Sequence, residues 1–488
     1  MTISFNTIPS NIRVPLAYVE FDSSRAVTGT PAMPYRVLFI GQKLSGGSAA
    51  VNTLVRVATA DAAVALFGAG SMLARMIQQF KRTNRSIDCW AVALADDAAG
   101  VPAAGTITLT GPATAAGVLS VYIGGDRVRV AVASAATATD VATALSAAIN
   151  ADTTLPVTAT ANAGVVTLTA RHDGAYGNDI DIRTNYYSDD ATPPGLSVAI
   201  AAMSTGAANP DVADAITAMG DEWFQAIVMP YTDASNMTAL ESELSDRWGG
   251  MRQIDGVAFC AYRGTHAAAV TFGDGRNSAF VCCMPTGGTP CPPYIWAAAV
   301  AAQATLSLSI DPARPLQTLT LPGILPPPET SRWTVDERNL LLHDGMSTWY
   351  VDAGGMVRIE RLLTMYQENA YGLPDPSYLD VTTPATLSYL RYSLRARITS
   401  KFPRMKLADD GIAYGPGQAI VTPKTIRAEI IALAEEWASA GLVENLDQFR
   451  AELVVERNAN DRNRVDVLCP PDLVNQFVIF AAQIQFIL

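Results

Sequence analysis

From Arg36 to Leu94 the spacing of apolar residues changes period twice. Val37-Leu-Phe-Ile40 is a continuous apolar run; Leu73, Met76, Ile77 and Phe80 then recur at helical spacing behind Ser71, a side chain suited to an N-cap. Asp88-Cys-Trp-Ala-Val-Ala-Leu94 returns to a strand pattern, so this stretch predicts one βαβ unit. After Gly195 the alternation resumes: a strand over Leu196 to Ile200, a helix opened by Asn209-Pro210 and an apolar strand over Phe224 to Met229. A helix behind Asp233 then places Met237, Leu240, Leu244 and Trp248 on one face, and Gly256 to Tyr262 and Ala279 to Cys283 read as further buried strands. Alternation of this kind predicts an α/β fold with a mainly parallel sheet and helices on both faces.

Residues 100–194, between these halves, are rich in Ala, Thr, Gly and Val and poor in charge. Thr106 to Thr110, Leu119 to Ile123, Val128 to Val132 and Val165 to Thr169 alternate as strands, with one helix near Asp140 to Ile149. The expectation is a small β-rich outer domain inserted into a loop of the α/β domain, which then comprises residues 31–99 plus 195–378.

Leu321-Pro-Gly-Ile-Leu-Pro-Pro-Pro328 reads as a stiff extended connector. Thr334 and Glu337 suit a capping box, and Asp352-Ala-Gly-Gly355 sits between two short strand patterns as a hairpin turn. An α+β C-terminal domain is expected over residues 379–474, with helices at about Pro384 to Ser400 and from Lys424 to Ala440. In the second helix Ile426, Ile430, Leu433, Ala434 and Trp437 form an apolar stripe, and Gly441 is a fitting stop.

Composition narrows the function. A chain of 488 residues with a net charge of −12 lacks the broad cationic surface that phosphate binding needs, so no direct nucleic-acid partner is expected. No secretory leader is read at the start, and the apolar stretch from Ile295 to Ile310 is too short and too Ala-rich to insert in a membrane. The six cysteines, Cys89, Cys260, Cys282, Cys283, Cys291 and Cys469, form neither a CxxC pair nor a Cys/His set, so no metal or cofactor is expected and free thiols are the simpler reading. His172-Asp173-Gly and His343-Asp344-Gly repeat a tripeptide that reads as a turn in preference to a catalytic dyad. No GxSxG, HExxH, P-loop or GxGxxG occurs, so the chain is not expected to be an enzyme, although an α/β enzyme of unknown substrate remains the alternative.

The two ends carry the main clue. In the C-terminal arm, residues 475–488, Val478, Phe480, Ile484 and Phe486 alternate on one face while Phe477, Ile479 and Ile487 fill the other. Within the N-terminal arm and first strand, residues 1–30, Ile3 and Phe5 alternate with polar residues, and Ile12, Val14, Leu16 and Tyr18 do so again. Periodicity fits ordinary edge strands within one subunit and equally fits strand exchange, in which an extended arm joins a neighbour's sheet.

At its ends the sequence resembles the contractile phage tail sheath family, most closely the Mu-like branch. The residues that carry the resemblance are Ile8-Pro-Ser-Asn-Ile-Arg-Val-Pro-Leu-Ala-Tyr-Val-Glu-Phe21, Asn339-Leu-Leu-Leu-His-Asp-Gly345, Gly354-Gly-Met-Val-Arg-Ile359 and Arg361-Leu-Leu-Thr364. Ala440-Gly-Leu-Val443, Val454-Val-Glu-Arg-Asn, Arg464-Val-Asp-Val-Leu-Cys-Pro-Pro471 and Phe477 to Phe486 extend it to the C-terminus. The resemblance implies a structural virion subunit, assembled in the host cytoplasm into hexameric rings around an inner tail tube protein. Such a sheath contracts to drive the tube through the host envelope, with neighbouring copies, a baseplate and a tail terminator as partners. The sequence does not separate a phage tail from a phage-like bacteriocin or secretion machine. No active site is carried over.

One further feature is a run of six bases, Arg391, Arg395, Arg397, Lys401, Arg404 and Lys406, with no acid between Ser388 and Lys406. It is read either as a tube- or subunit-facing patch or as a solvated helix end favouring cations.

Overall fold

The computed structural model describes residues 33–411 and 418–487, together with 14–15, 17–19 and 415. The chain divides into two compact units, one built from residues 35–389 with 438–444 and 472–488, the other from 390–437 with 445–471.

The first unit opens with β1 (Arg36–Gln42), β2 (Leu54–Val57), α1 (Ala60–Phe67), α2 (Met72–Thr83) and β3 (Asp88–Leu94). Helix α2 starts where the Ser71 hydroxyl accepts the Ala74 N–H at 3.2 Å. There follow β4 (Pro102–Thr110), β5 (Gly117–Ile123), β6 (Asp126–Val132), α3 (Ala138–Ala151), β7 (Val157–Asn162), β8 (Val165–Asp173), β9 (Ile182–Thr184) and β10 (Ser197–Ser204). The alternation then returns with α4 (Ala213–Met219), β11 (Ala226–Val228), α5 (Ala234–Trp248), β12 (Val257–Tyr262), α6 (His266–Asp274), β13 (Val281–Pro285) and α7 (Pro293–Leu308). Helix α8 (Val335–His343), capped by the Thr334–Glu337 box, leads into the hairpin of β14 (Thr348–Val351) and β15 (Val357–Arg361).

Six strands form the main sheet in the order β13-β12-β11-β1-β3-β2, all parallel except β2. Its central strands are buried on both faces, which is why Val37 to Ile40 and Ala226 to Val228 read as unbroken apolar runs. Helix α7 is buried nearly all round, with Trp296 fully enclosed, so its Ala-rich sequence lets it lie close against α2 and the sheet. No described helix is long and apolar enough to cross a membrane.

Strands β4 to β10 build two antiparallel sheets, β10-β4-β8-β7 and β6-β5-β9, around a separate core that includes Ile107, Leu119, Leu145 and Leu168. Strand β10 departs from the sequence reading: residues 197–204 do not resume the α/β alternation but pair antiparallel with β4. The reason lies in their exposure, since only Met203 of the strand is buried, as suits an edge strand and not a member of a covered parallel sheet. At the opposite edge, α3 covers β7. Asn150 Oδ1 accepts the Ala159 N–H at 2.9 Å, while Asn150 Nδ2 and Ser146 Oγ donate to the Ala159 carbonyl at 2.7 and 3.0 Å. Asn209 also differs from its expected role. It starts no helix but donates to Asp233 at 3.0 Å and accepts from the Tyr176 N–H at 3.1 Å.

The remaining elements are α9 (Thr382–Lys401), β16 (Lys406–Leu407), β17 (Ile420–Val421), α10 (Pro423–Ser439), β18 (Val443–Glu444), α11 (Leu446–Glu452), β19 (Val454–Arg457), β20 (Val465–Leu468) and β21 (Asp472–Leu473). In the second unit the predicted stripe of α10 is buried, and Trp437 donates its indole N–H to Ser393 of α9 at 2.9 Å. Strands β18 and β21 pair antiparallel in the first unit.

The expectation of strand-like arms meets a different local structure. Residues 474–487 form no strand in the single chain, because an extended segment becomes a strand only when another backbone accepts its ladder of hydrogen bonds. Of the N-terminal arm, Ile3, Phe5, Ile12 and Leu16 lie outside the described residues; Val14 and Tyr18 are exposed, and the Tyr18 hydroxyl donates to the Val14 carbonyl at 3.3 Å.

Candidate self-association surfaces

The C-terminal tail is the most unusual surface of the chain. Val474 N–H donates to the Leu442 carbonyl at 3.2 Å and Gln317 Nε2 to the Phe477 carbonyl at 3.2 Å. Further along, Phe477, Ile479, Phe480, Ile484, Phe486 and Ile487 are between 71% and 100% exposed. Full burial of one such side chain is worth about 1.5–3 kcal/mol, so the tail holds a large unused driving force for association. Both faces named from the sequence carry it: Phe480, Ile484 and Phe486 on one, Phe477, Ile479 and Ile487 on the other, with Val478 half-buried.

The second unit carries a two-stranded ribbon with open edges. Strands β19 and β20 pair only with each other, from Val454↔Leu468 to Arg457↔Val465, leaving both outer edges without a strand among the described residues. Val454, Val467 and Leu468 are exposed on this ribbon. Its turn is held by charge: Arg457 and Arg462 reach Asp409 at 2.9 and 3.0 Å, and Arg464 reaches Asp466 at 2.5 Å. Hydrogen bonds from Asn458 and then Arg464 hold the Asp466 carboxyl below its ordinary value, so the turn stays charged at neutral pH. A two-stranded ribbon with open edges is a ready template for a third strand.

The basic run is less free than its sequence reads. Arg397 is largely buried and lies 3.6 Å from Glu429 while donating to Glu436; Lys401 lies 2.6 Å from Glu429. Lys406 donates to Gln418 at 3.0 Å, Arg391 and Arg395 make contacts of their own, and Arg404 is exposed. The neutralising acids sit on α10, tens of residues away, so linear spacing gave no sign of them.

Chemistry-bearing residues elsewhere are locked into packing. His172 is buried at the end of β8, not in a turn. Its Nδ1 lies 3.0 Å from Asp96, and its Nε2 accepts the Met72 N–H at 3.3 Å. Burial raises the Asp96 carboxyl, but hydrogen bonds from His172 and Gln42 outweigh this and leave it below its ordinary value. The partner of His172 is thus Asp96 and not the adjacent Asp173, a pairing visible only in three dimensions. His343-Asp344-Gly345 does close α8 as a turn, with Gly345 at φ 68°. Burial pushes the thiols of Cys89 and Cys291 up to about 11 and that of Cys282 to about 12, which disfavours the nucleophilic thiolate. Among the described residues no group of three or more His, Cys, Asp or Glu is placed to hold a metal ion.

Residues 205–365 match the phage tail sheath protein central domain, and residues 374–487 match the phage tail sheath C-terminal domain. The chain is 50% identical over 488 residues, all of both proteins, to the Mu-like prophage FluMu tail sheath protein of Haemophilus influenzae. Its fold is similar to the sheath tail protein of Desulfitobacterium hafniense, with a TM-score of 0.51 at 13% identity over 94% of this chain and 97% of that one. It is also similar to the sheath tail protein of Listeria innocua, with a TM-score of 0.50 at 14% identity over 91% and 93%.

Proposed function

Since the chain belongs to the phage tail sheath protein family, we propose that it polymerises as hexameric rings around an inner tail tube and contracts to drive that tube through a host envelope. The observation that carries this reading is the tail beyond Val474: a segment rich in exposed Phe and Ile with no sheet of its own. In the polymer the tail of one copy adds as a strand to an open edge of the β19–β20 ribbon of a neighbour, and the N-terminal arm engages another copy. Main-chain hydrogen bonds supply strength and alternate side chains supply register. Arms paired in this way tether subunits while their bodies move, which contraction between two packings requires.

Of the exposed bases of the run, Arg395, Arg404 and Lys406 face the tube or a neighbouring subunit, whereas Arg397 and Lys401 are held by acids of the subunit's own α10. Residues 100–194, extended through β10, form an outer domain away from the tube. Baseplate and tail terminator cap the two ends of the polymer, which is built in the host cytoplasm and becomes part of the virion. Negative-stain electron microscopy of the purified chain, beside a version lacking residues 475–488, tests this reading. Striated hollow tubes are expected from the first and dispersed particles from the second; dispersed particles from both, under crowding, would overturn it.

A further inference from the structure

We infer a second contact between copies, formed where the turn carrying Tyr371 and Leu373 seats in a trough walled by Tyr186 and Pro326 of the next copy. It rests on the polymeric reading above.

The turn is rigid and its tip is apolar. Asn369 N–H donates to the Leu373 carbonyl at 3.0 Å, Gly372 N–H to the Asn369 carbonyl at 2.9 Å, and Asn369 Oδ1 accepts from the Tyr371 N–H at 2.9 Å. Gly372 takes φ 71°, the left-handed region that a side chain disfavours. Below the tip, the Tyr366 hydroxyl donates to Asp375 at 2.7 Å, and Asn277 Nδ2 donates to the Glu368 carbonyl at 2.8 Å. So much internal bonding usually accompanies burial, yet Tyr371 is 88% and Leu373 60% exposed. A tyrosine presented on a preorganised turn loses little entropy on docking, which is the profile of a binding anchor.

The trough has the complementary shape and charge. It encloses about 850 Å³, with Tyr186, Tyr187, Leu325, Pro326 and Met356 among its walls. The Tyr186 hydroxyl donates to the Pro326 carbonyl at 2.9 Å and the Tyr186 and Tyr187 rings lie 4.9 Å apart, so the walls are stiff. Its charged lining is Arg332 together with Arg183, which pairs with Asp181, itself also bound by Arg263, so the local balance stays positive. The turn contributes Glu368 and Asp375 and no base between residues 366 and 378. An acidic apolar knob therefore matches a basic apolar hole.

The two features also lie at opposite ends of β13. Met365 N–H donates to the Val281 carbonyl at 2.8 Å, which holds the knob at the start of the strand. Thr289 Oγ1 donates to the Leu325 carbonyl at 2.6 Å, and Arg183 to the Gly288 carbonyl at 2.9 Å, which holds the trough beyond its end. A five-residue strand spans roughly 16 Å, so one copy cannot fill its own trough. Knob and hole at opposite ends form a heterologous contact, which propagates from copy to copy as a ring or a helix.

The test places cysteines beside the contact without touching the knob: Ala370→Cys with Ser188→Cys, treated with a short bis-maleimide under polymerising conditions. A ladder of covalent oligomers from the double variant alone is expected, and Tyr371→Ala should raise the concentration needed for polymerisation about tenfold or more. Polymers without a ladder, with Tyr371→Ala assembling like the parent, would overturn the contact and leave the sheath reading intact. A parent chain that stays monomeric would overturn both.

Discussion

Arg397 of α9 lies 3.6 Å from Glu429 of α10, and its guanidinium also donates to Glu436. One cation thus joins two acids about two turns apart on the facing helix, in the same helix pair that carries the buried Trp437–Ser393 hydrogen bond. Arg397→Gln is therefore expected to destabilise the second unit by about 1–3 kcal/mol, between the values for exposed and buried pairs. Arg404→Gln, at an exposed position, should change stability by less than about 0.5 kcal/mol and weaken co-assembly with tube protein. Chemical denaturation of both variants, beside co-sedimentation with tubes, checks the division of labour.

A pH dependence follows from Asp179, at the end of the short turn Ala175–Asp179. Burial pushes its carboxyl up to about 6, and Arg263 offsets only part of that. Because the folded value lies above the unfolded 3.8, the folded chain holds the proton more tightly between these values. The stability this group contributes is present at low pH and is lost as the pH rises through about 6. Asp179→Asn should melt at a higher temperature than the parent above pH 6, with the gap closing below pH 4. Thermal melts at both ends of that range would show it, and a constant gap would sink the idea.

The docking of the β4–β10 segment on the main sheet can be locked. A methyl carbon at Gly125, between β5 and β6, would sit 2.9 Å from Cys291 Sγ and 3.8 Å from its Cβ, close to the Cβ spacing of a disulfide. Gly125→Cys, although strained by its φ of 88°, is expected to oxidise with Cys291 and remove two thiols from the titration. Seven reactive thiols in the oxidised, denatured variant, counting the parent's six cysteines and the added one, would mean that the two surfaces do not meet as described.

Much of this architecture was legible in local pattern. The Ser71 cap and the Thr334–Glu337 box rest on interactions within a few residues, while the runs Val37 to Ile40 and Ala279 to Cys283 and the α10 stripe record burial in their local spacing. Strand β10 was misassigned because its alternation is the same whether it faces β4 or another sheet; only Met203 and the register from Ser197↔Thr110 decide. The pairing of His172 with Asp96 and of Arg397 with α10 was equally hidden, since each joins residues that only folding brings together. The terminal tail was read from its apolar content, but no strand among the described residues pairs with it, and its period alone does not say what would.

The long gap between β1 and its neighbour β11 has a bearing on synthesis. Val37 pairs with Ala226, so the main sheet cannot close until 189 further residues have been made. Everything from β4 to β10 leaves the ribosome inside that interval, and at about 5–20 residues per second this segment of roughly 100 residues has several seconds in which to fold. Its sheets need no residue outside Pro102–Ser204. The nascent chain thus holds a finished cargo domain on two strings while β1 waits for β11. Any slowing of translation across 205–225 lengthens the time that β1 spends with an unpaired edge, a template on which another nascent chain can pair.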